Sequence, residues 1–579
     1  MSNALGVVGT GPAADAVVAA LADADGTVTE LDPDEVGDAD FAVVVGDVGS
    51  NVFTRSNRSG TPWLAVELGG VGGHALPDVD AAVSGFAPET ACFECLRTRV
   101  AANSGEDGVA DEIDDAGDAG NADVNGATAR FAGALAGREA VAVRSGGESA
   151  VLGGVVELPH AERRLLPVPG CSTCGDARDR ALGIDHAERT LDDAVARAEV
   201  ALDERVGVVR SLGEVASFPV PYYLATTCDT TEFSDARAAE KAAGVSAEWD
   251  EALMKALGEA MERYCAGVYR ESEFAVARSS ELGDAIPPTV FVRPPGWEEP
   301  GNDELPWASG RNLATGEPVH LPAEFVHFPP PTRGFKPPIT TGLGLGNSTT
   351  EALLSGLYEV IERDATMLAW YSTFEPLGLH VDDAGFETLV KRARAESLDV
   401  TALLVTQDVD VPVVAVAVHR DGDWPRFALG SGANLDPDAA ARSALAEALQ
   451  NWTELKLMGR DEAGDAEGAI ADYADFQRAT REFVAPATTI PSANVEDAVP
   501  DGVEELEAVV SRVSEAFDVY GARLTTRDVE SLGFEAVRVL APEAQPLFTG
   551  KPFFGERARA VPEELGFEPR PEREVHPYP

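Results

Sequence analysis

The chain opens on LGVVGTGP (residues 5–12), an apolar run ending in a glycine turn. AADAVVAALADA (13–24) follows, with apolar positions recurring at helical spacing. FAVVVGD (41–47) and TPWLAVELG (61–69) are further short, nearly continuous apolar runs. Such runs alternating with amphipathic segments predict buried strands between helices, and hence a parallel α/β sheet. Residues 104–126 are acidic and low in complexity, which predicts a solvated excursion. A charged helical stretch over 187–205 is expected to close this unit, giving units 1–205 and 206–579. In the second unit longer helices lie between strands such as VPVVAVAVHR (411–420), with proline-rich loops at 294–306 and 327–338. That pattern predicts an α+β arrangement, with no short-period repeat.

Composition narrows the function. The 579 residues hold 45 Lys+Arg against 99 Asp+Glu, a formal charge of −54, and 44% are hydrophobic. A chain with that apolar content buries ordinary cores. Its charge argues against nucleic acid or an anionic membrane as partner. Only six residues are Lys, the rest of the basic set being Arg. Acid-rich, lysine-poor chains suit concentrated salt, where a Debye length of about 3 Å screens self-repulsion. The composition thus predicts a halophile protein. The N-terminal sequence has no basic region ahead of a long apolar core, and no apolar run is long enough for a span, so a cytoplasmic location is expected.

Gly9, Gly11 and Ala14 form a GxGxxA turn between strand and helix. It is either a phosphate cradle or a tight turn that lets the two elements pack, and without a P-loop lysine the second reading is preferred. CFEC (Cys92, Cys95) and CSTC (Cys171, Cys174) are more informative. Two CxxC pairs supply the four thiolates of a closed tetrahedral site, which predicts structural zinc. Cys228 and Cys265 stand alone and read as buried thiols.

Three helical segments carry carboxylates amid apolar residues. EALMKALGEAMERYCAG places Glu259 and Glu262 three apart. In TTGLGLGNSTTEALLSGLYEVIERDA, helical spacing puts Asn347, Glu351, Glu359 and Glu362 on one face. ANLDPDAAARSALAEALQNW places Glu447 three before Gln450. Converging carboxylates in such a setting need cations between them, and Mg²⁺ with a polyphosphate is the simplest solution. Gly342, Gly344 and Gly346 are expected to form a loop that a ligand approaches closely.

These motifs, in this order, resemble the YcaO family: its glycine-rich segment with the Asn/Glu/Glu-Arg helix, its ExxER helix in ALGEAMER, and its ExxQ helix in SALAEALQ. The resemblance spans roughly residues 206–579. It implies a domain that binds ATP and Mg²⁺ through Glu259, Glu262, Asn347, Glu351, Glu359, Glu362, Glu447 and Gln450, with Arg263 and Arg363 as phosphate or structural arginines. Lys255 stands where many members carry serine, and Trp452 where arginine is common. The first part, through the GxGxxA turn, ETACFECLRTR and LLPVPGCSTCG, resembles the ThiF-like cyclodehydratase module, a Rossmann-like fold whose four cysteines hold structural zinc. No winged-helix recognition element is expected ahead of it. The terminal sequence PEREVHPYP resembles the family's proline-rich tail, with Pro577 and Pro579 in place and Val575 in the position of the first proline.

The implied activity is ATP-dependent phosphorylation of a backbone amide oxygen, giving an azoline or a thioamide in a peptide or protein. Arg363 and Pro579 are the expected catalytic contributors. A sulfur donor or a recognition protein is an expected partner, and a homodimer the expected assembly. The alternative is a non-catalytic accessory factor supporting a partner's sulfur chemistry. A third reading, sulfur transfer onto an RNA or ribosomal substrate, is less compatible with the charge.

Overall fold

Side chains of strand Phe41–Asp47 alternate between two cores, as the period of a strand requires. Val43 and Val45 face a layer of alanines and valines from helices Pro12–Asp23 and Gly126–Arg144. Ala42 and Val44 face Phe53, Trp63 and Phe93. This burial on both sides is why the strand reads as continuously apolar. The structure, a computed structural model, describes residues 4–24, 27–104, 124–159, 161–175, 178–296, 303–463, 470–495 and 499–579. Most of the acidic excursion, 105–123, therefore lies outside the described residues.

The first sheet has seven strands. Thr27–Glu30, Ala4–Val8, Phe41–Asp47 and Trp63–Leu68 are parallel, as expected. Ala81–Phe86, Gly154–Leu158 and Ala161–Arg164 then continue it antiparallel, so the sheet is mixed. The link after Trp63–Leu68 holds a small hairpin (Gly70–Val71 with His74–Ala75) in place of a crossover helix, and the chain must return antiparallel. Gly9 has φ of 103°, and a Cβ there would meet the Val45 carbonyl oxygen at 2.4 Å. Backbone packing accounts for this glycine without a ligand. The expected 187–205 helix is shorter, Leu191–Ala198 followed by a single 3₁₀ turn, Glu199–Ala201.

In the second part, three helices each lie on a strand through a glycine. Helix Trp249–Gly267 covers Lys241–Val245, where a Cβ on Gly244 would meet the Ala256 nitrogen at 2.2 Å. Helix Thr349–Trp370 covers Leu343–Gly346, where one on Gly344 would meet the Ala352 oxygen at 2.2 Å. Helix Pro437–Ala463, kinked at Gly459, covers Phe427–Ala433, where one on Gly430 would meet the Ala444 oxygen at 2.3 Å. The expected glycine loop is therefore largely a strand: Gly344 and Gly346 admit the helix, Gly342 lies against the Val539 carbonyl oxygen of a neighbouring strand, and Gly346 also lines a cavity. The three strands belong to three sheets: one of three strands, one of six and one of five.

The two parts are fastened through charge. Arg99, on the helix Phe93–Asn103 that follows Cys92, is ion-paired to Asp528 with both side chains fully buried. Tyr264 donates its hydroxyl to the same carboxylate at 2.7 Å. Asn103 donates to the Gly207 carbonyl at 3.1 Å, and Arg197 to those of Leu532 and Gly533 at 2.9 and 2.8 Å. Removing one member of a buried pair leaves the other charge uncompensated. Asp528→Ala should therefore cost about 3–5 kcal/mol in denaturant unfolding at fixed salt. A loss within about 0.5 kcal/mol, the range of an ordinary surface substitution, would show that this pair does not hold the parts together.

Candidate functional site

Each of the three glycine-seated helices returns one glutamate to its own strand region. Ala243 N–H donates to Glu259 at 2.7 Å, Gly342 N–H to Glu359 at 2.9 Å, and Ser431 N–H to Glu447 at 2.6 Å. Donor and acceptor are 16, 17 and 16 residues apart, so the arrangement is a repeat of strand, helix and carboxylate. Three residues on, each helix presents a second polar group on the same face: Glu262, Glu362 and Gln450. No short-period repeat would reveal this. The copies are about a hundred residues apart and share little besides Glu-x-x-Glu/Gln over a glycine strand.

Arg363 ties two copies together. Its guanidinium lies 3.9 Å from Glu359, 3.6 Å from Glu362 and 3.9 Å from Glu447, and it donates to the Pro579 main-chain oxygen at 3.4 Å. Ser431 donates its hydroxyl to Glu362 at 2.7 Å. In the remaining copy Arg263 donates to Glu259 at 2.7 Å and lies 3.8 Å from Glu262. A cavity of about 450 Å³ opens beside it, lined by Glu259, Glu262, Asn347, Glu351 and Lys255. Asn347 is not on the helical face expected of it: it precedes the N-cap Ser348 and donates through its backbone and side-chain amides to Glu351 at 2.8 and 2.9 Å. Arg197 in turn donates to the Asn347 side-chain oxygen.

Gln450 donates to Glu454 at 2.9 Å, and Glu454 also accepts the Tyr222 hydroxyl at 2.9 Å. Trp452 is fully buried, its indole N–H on the Pro425 carbonyl at 3.1 Å, and makes no part of the site. Arg538 is a member that sequence reasoning missed. Only 1% exposed, it donates to the Ile339 and Thr340 carbonyls at 2.7 and 2.8 Å, and its charge is felt by Glu262. The available signal was an arginine inside the apolar strand Glu535–Leu540. Tyr578 was also missed. It is buried beside Arg363 and Glu362, and burial raises its hydroxyl pKa.

Acid outweighs base here. Burial, reinforced by the Glu359 and Glu259 charges, pushes Glu262 up to about 8 against the opposing arginines. Burial pushes Glu447 up to about 7, although Arg363 counteracts it, and raises Glu362. Burial also lowers Lys255 and brings Arg538 down to about 10. Carboxylates short of counter-charge suit a hard divalent cation. Among the described residues, only the four cysteines form a group of three or more metal-ligand side chains whose donor atoms all lie within 4.8 Å of one another. The glutamates form no such group of three, so Mg²⁺ held by them would complete its shell with ligand oxygens such as phosphates.

The cysteines form a compact cluster. Cys92 and Cys171 sulfurs are 3.6 Å apart, those of Cys95 and Cys174 3.4 Å. That all-sulfur donor set, with three of the four residues buried, fits a closed zinc site. Cys228 and Cys265 are buried as expected, and burial raises both thiol pKa values, to about 11 and about 12.

Residues 243–545 match the family described as "YcaO cyclodehydratase, ATP-ad Mg2+-binding". An uncharacterized protein of Methanothermobacter thermautotrophicus is 31% identical over 343 residues, 55% of this chain and 85% of its own length. Among solved structures, a heterocyclase in complex with substrate and cofactor superposes with a TM-score of 0.75 at 20% identity, covering 97% of this chain and 83% of that one. The heterocyclase TruD gives 0.67 at 19% identity, covering 98% and 82%. These likenesses show that the fold is shared over nearly the whole chain.

Because Glu262 and Glu447 hold protons more tightly folded than unfolded, their contribution is fully present below about pH 4.5 and lost as pH rises through 7 to 8. Without nucleotide, the melting temperature should fall between pH 6 and pH 9, and less steeply in Glu262→Gln. Parallel curves for the two proteins would contradict the assignment.

Proposed function

Since the chain belongs to the YcaO family, we propose that it uses ATP and Mg²⁺ to activate a backbone amide in a peptide or protein. A Cys, Ser or Thr side chain, or an external sulfide, adds to the amide carbon. The amide oxygen then attacks the γ-phosphorus and ADP leaves. Loss of that oxygen as phosphate, together with a proton, leaves an azoline or a thioamide. The observation that carries this reading is the meeting of three carboxylate-bearing helices: Arg363 lies among the acids of two of them, and Glu262 of the third feels the charge of Glu359.

In this reading Glu259, Glu262, Glu351, Glu359, Glu362 and Glu447 hold Mg²⁺, with Asn347 and Gln450 completing the nucleotide's polar contacts. A cation held by these carboxylates would offset phosphate charge and supply electrostatic positioning for phosphoryl transfer. Arg363 lies among the carboxylates of two helices and neutralises charge developing on the transferred phosphoryl group. The Pro579 main-chain oxygen orients that guanidinium, giving this residue a place in catalysis.

Residues 1–205 form a ThiF-like module whose Cys92, Cys95, Cys171 and Cys174 hold structural zinc, and 206–579 form the ATP-binding unit. Both sit in a cytoplasmic halophile protein that works as a homodimer, with a recognition protein or sulfur donor as partner. Among the described residues no helix is long and apolar enough to cross a membrane.

ATP hydrolysis by the purified protein should rise several-fold on adding a Cys- or Ser-containing substrate peptide. Arg363→Gln should keep the thermal shift caused by Mg-ATP and lose turnover by about 100-fold or more. Nucleotide binding without turnover, for peptides drawn from the neighbouring genes, would favour the accessory-factor reading.

A further inference from the structure

Across the chain, acid exceeds base by 99 to 45. One region inverts that ratio. Two cavities of about 770 and 240 Å³, sharing Arg178 and Glu273, lie where the segment after the cysteine cluster crosses onto the second part. Their walls bring together six arginines: Arg178, Arg180, Arg270, Arg311, Arg523 and Arg527. They carry only three acids, Asp179, Glu273 and Glu530.

The partners of these arginines decide what the cleft can take. Glu273 accepts from Arg180 at 2.5 Å, Asp235 from Arg270 at 2.7 Å, and Glu530 from Arg523 at 2.8 Å. Arg527 donates toward the Cys174 carbonyl and lies 3.7 Å from its sulfur, so the cysteine cluster engages it. Arg178 and Arg311 are different. Arg178 donates to the Thr525 and Val268 carbonyls at 3.0 and 2.8 Å, and its Nη2 is buried without a partner among the described residues. Arg311 donates to the Gly316 and Leu182 carbonyls at 3.1 and 3.3 Å. Neither has a salt bridge among the described residues. A guanidinium held only by neutral carbonyls keeps its charge available to an incoming anion.

We propose that this cleft binds a carboxylate-bearing segment of the peptide substrate, a proposal that rests on the reading of a peptide substrate above. Guanidinium forks match carboxylates in pairs of parallel hydrogen bonds. The larger cavity exceeds what one small anion fills, and Leu182 and Pro318 between the arginines offer apolar contact to side chains flanking the acids. An acidic segment would be repelled over most of this surface and attracted here, so the charge pattern itself gives the address. The cleft is separate from the glutamate-lined cavity and shares none of its lining residues.

The test is fluorescence anisotropy with a labelled octapeptide of alternating Glu and Gly, at the lowest salt that keeps the full chain folded. A Lys/Gly octapeptide is the control. Wild type should bind the acidic peptide and not the basic one. Arg311→Gln should weaken binding about tenfold, the worth of one charge-assisted hydrogen bond. Ala181→Glu, at the exposed rim, should do the same without touching a buried arginine. Both variants should retain the Mg-ATP thermal shift. Equal binding by wild type and both variants would overturn the proposal, as would equal binding of the two peptides. Displacement of the acidic peptide by millimolar inorganic phosphate would also overturn it, marking a small-anion site. Because no turnover is measured, loss of this cleft is distinguishable from failure of the amide-activation reading.

Discussion

The contact between a glycine strand and the helix laid on it is what the rest of this molecule depends on. At Gly244, Gly344 and Gly430 the helix backbone comes closer than any side chain would permit. That approach lets Glu259, Glu359 and Glu447 accept a backbone N–H from the strand region beneath them. Each carboxylate is thereby oriented by main chain, leaving its other oxygen to an arginine: that of Glu259 accepts from Arg263 at 2.7 Å, and those of Glu359 and Glu447 lie 3.9 Å from Arg363. Rigid elements hold such groups more precisely than loops. The cost is a set of partly buried acids with too little counter-charge, visible in the upward shifts of Glu262 and Glu447. A folded chain that carries such a cost without cations gains most when they arrive with their phosphates.

The zinc-type cluster and the phosphate-type site are mechanically connected. Helix Phe93–Asn103 begins just after Cys92, and Arg99 on it is buried against Asp528 and Tyr264. Tyr264 belongs to the same helix as Glu259 and Glu262. Arg527, next to Asp528, reaches Cys174. The segment from Arg178 to Arg197 then runs along the second part and delivers a guanidinium to Asn347. The first part thus braces one wall of the glutamate site, and the arginine cleft lies along that same crossing.

Much of this was legible in the sequence. Cys92, Cys95, Cys171 and Cys174 meet because paired thiols buried in one domain have few other uses. The acidic helices stood out because several carboxylates amid alanine, leucine and glycine need cations between them if they converge. Three things were not legible. The apolar pattern identifies a strand but not its direction, so the antiparallel half of the first sheet was missed. Gly342, Gly344 and Gly346 look alike in sequence, and only the folded backbone shows the helix at Gly344 and Gly346 and a neighbouring strand's carbonyl at Gly342. Arg538 and Arg178 act through chain segments far from the motifs, and linear spacing carries no trace of such contacts.

The central claim is that the glutamates of three helices are arranged for divalent cations shared with phosphates. The most direct measurement is anomalous diffraction at the manganese edge from crystals grown with Mn²⁺ and a non-hydrolysable ATP analogue. The account predicts anomalous peaks between the analogue's phosphates and carboxylate oxygens drawn from Glu259, Glu262, Glu351, Glu359, Glu362 and Glu447. A bound analogue whose phosphates lie elsewhere, or manganese found only at surface acids, would contradict it.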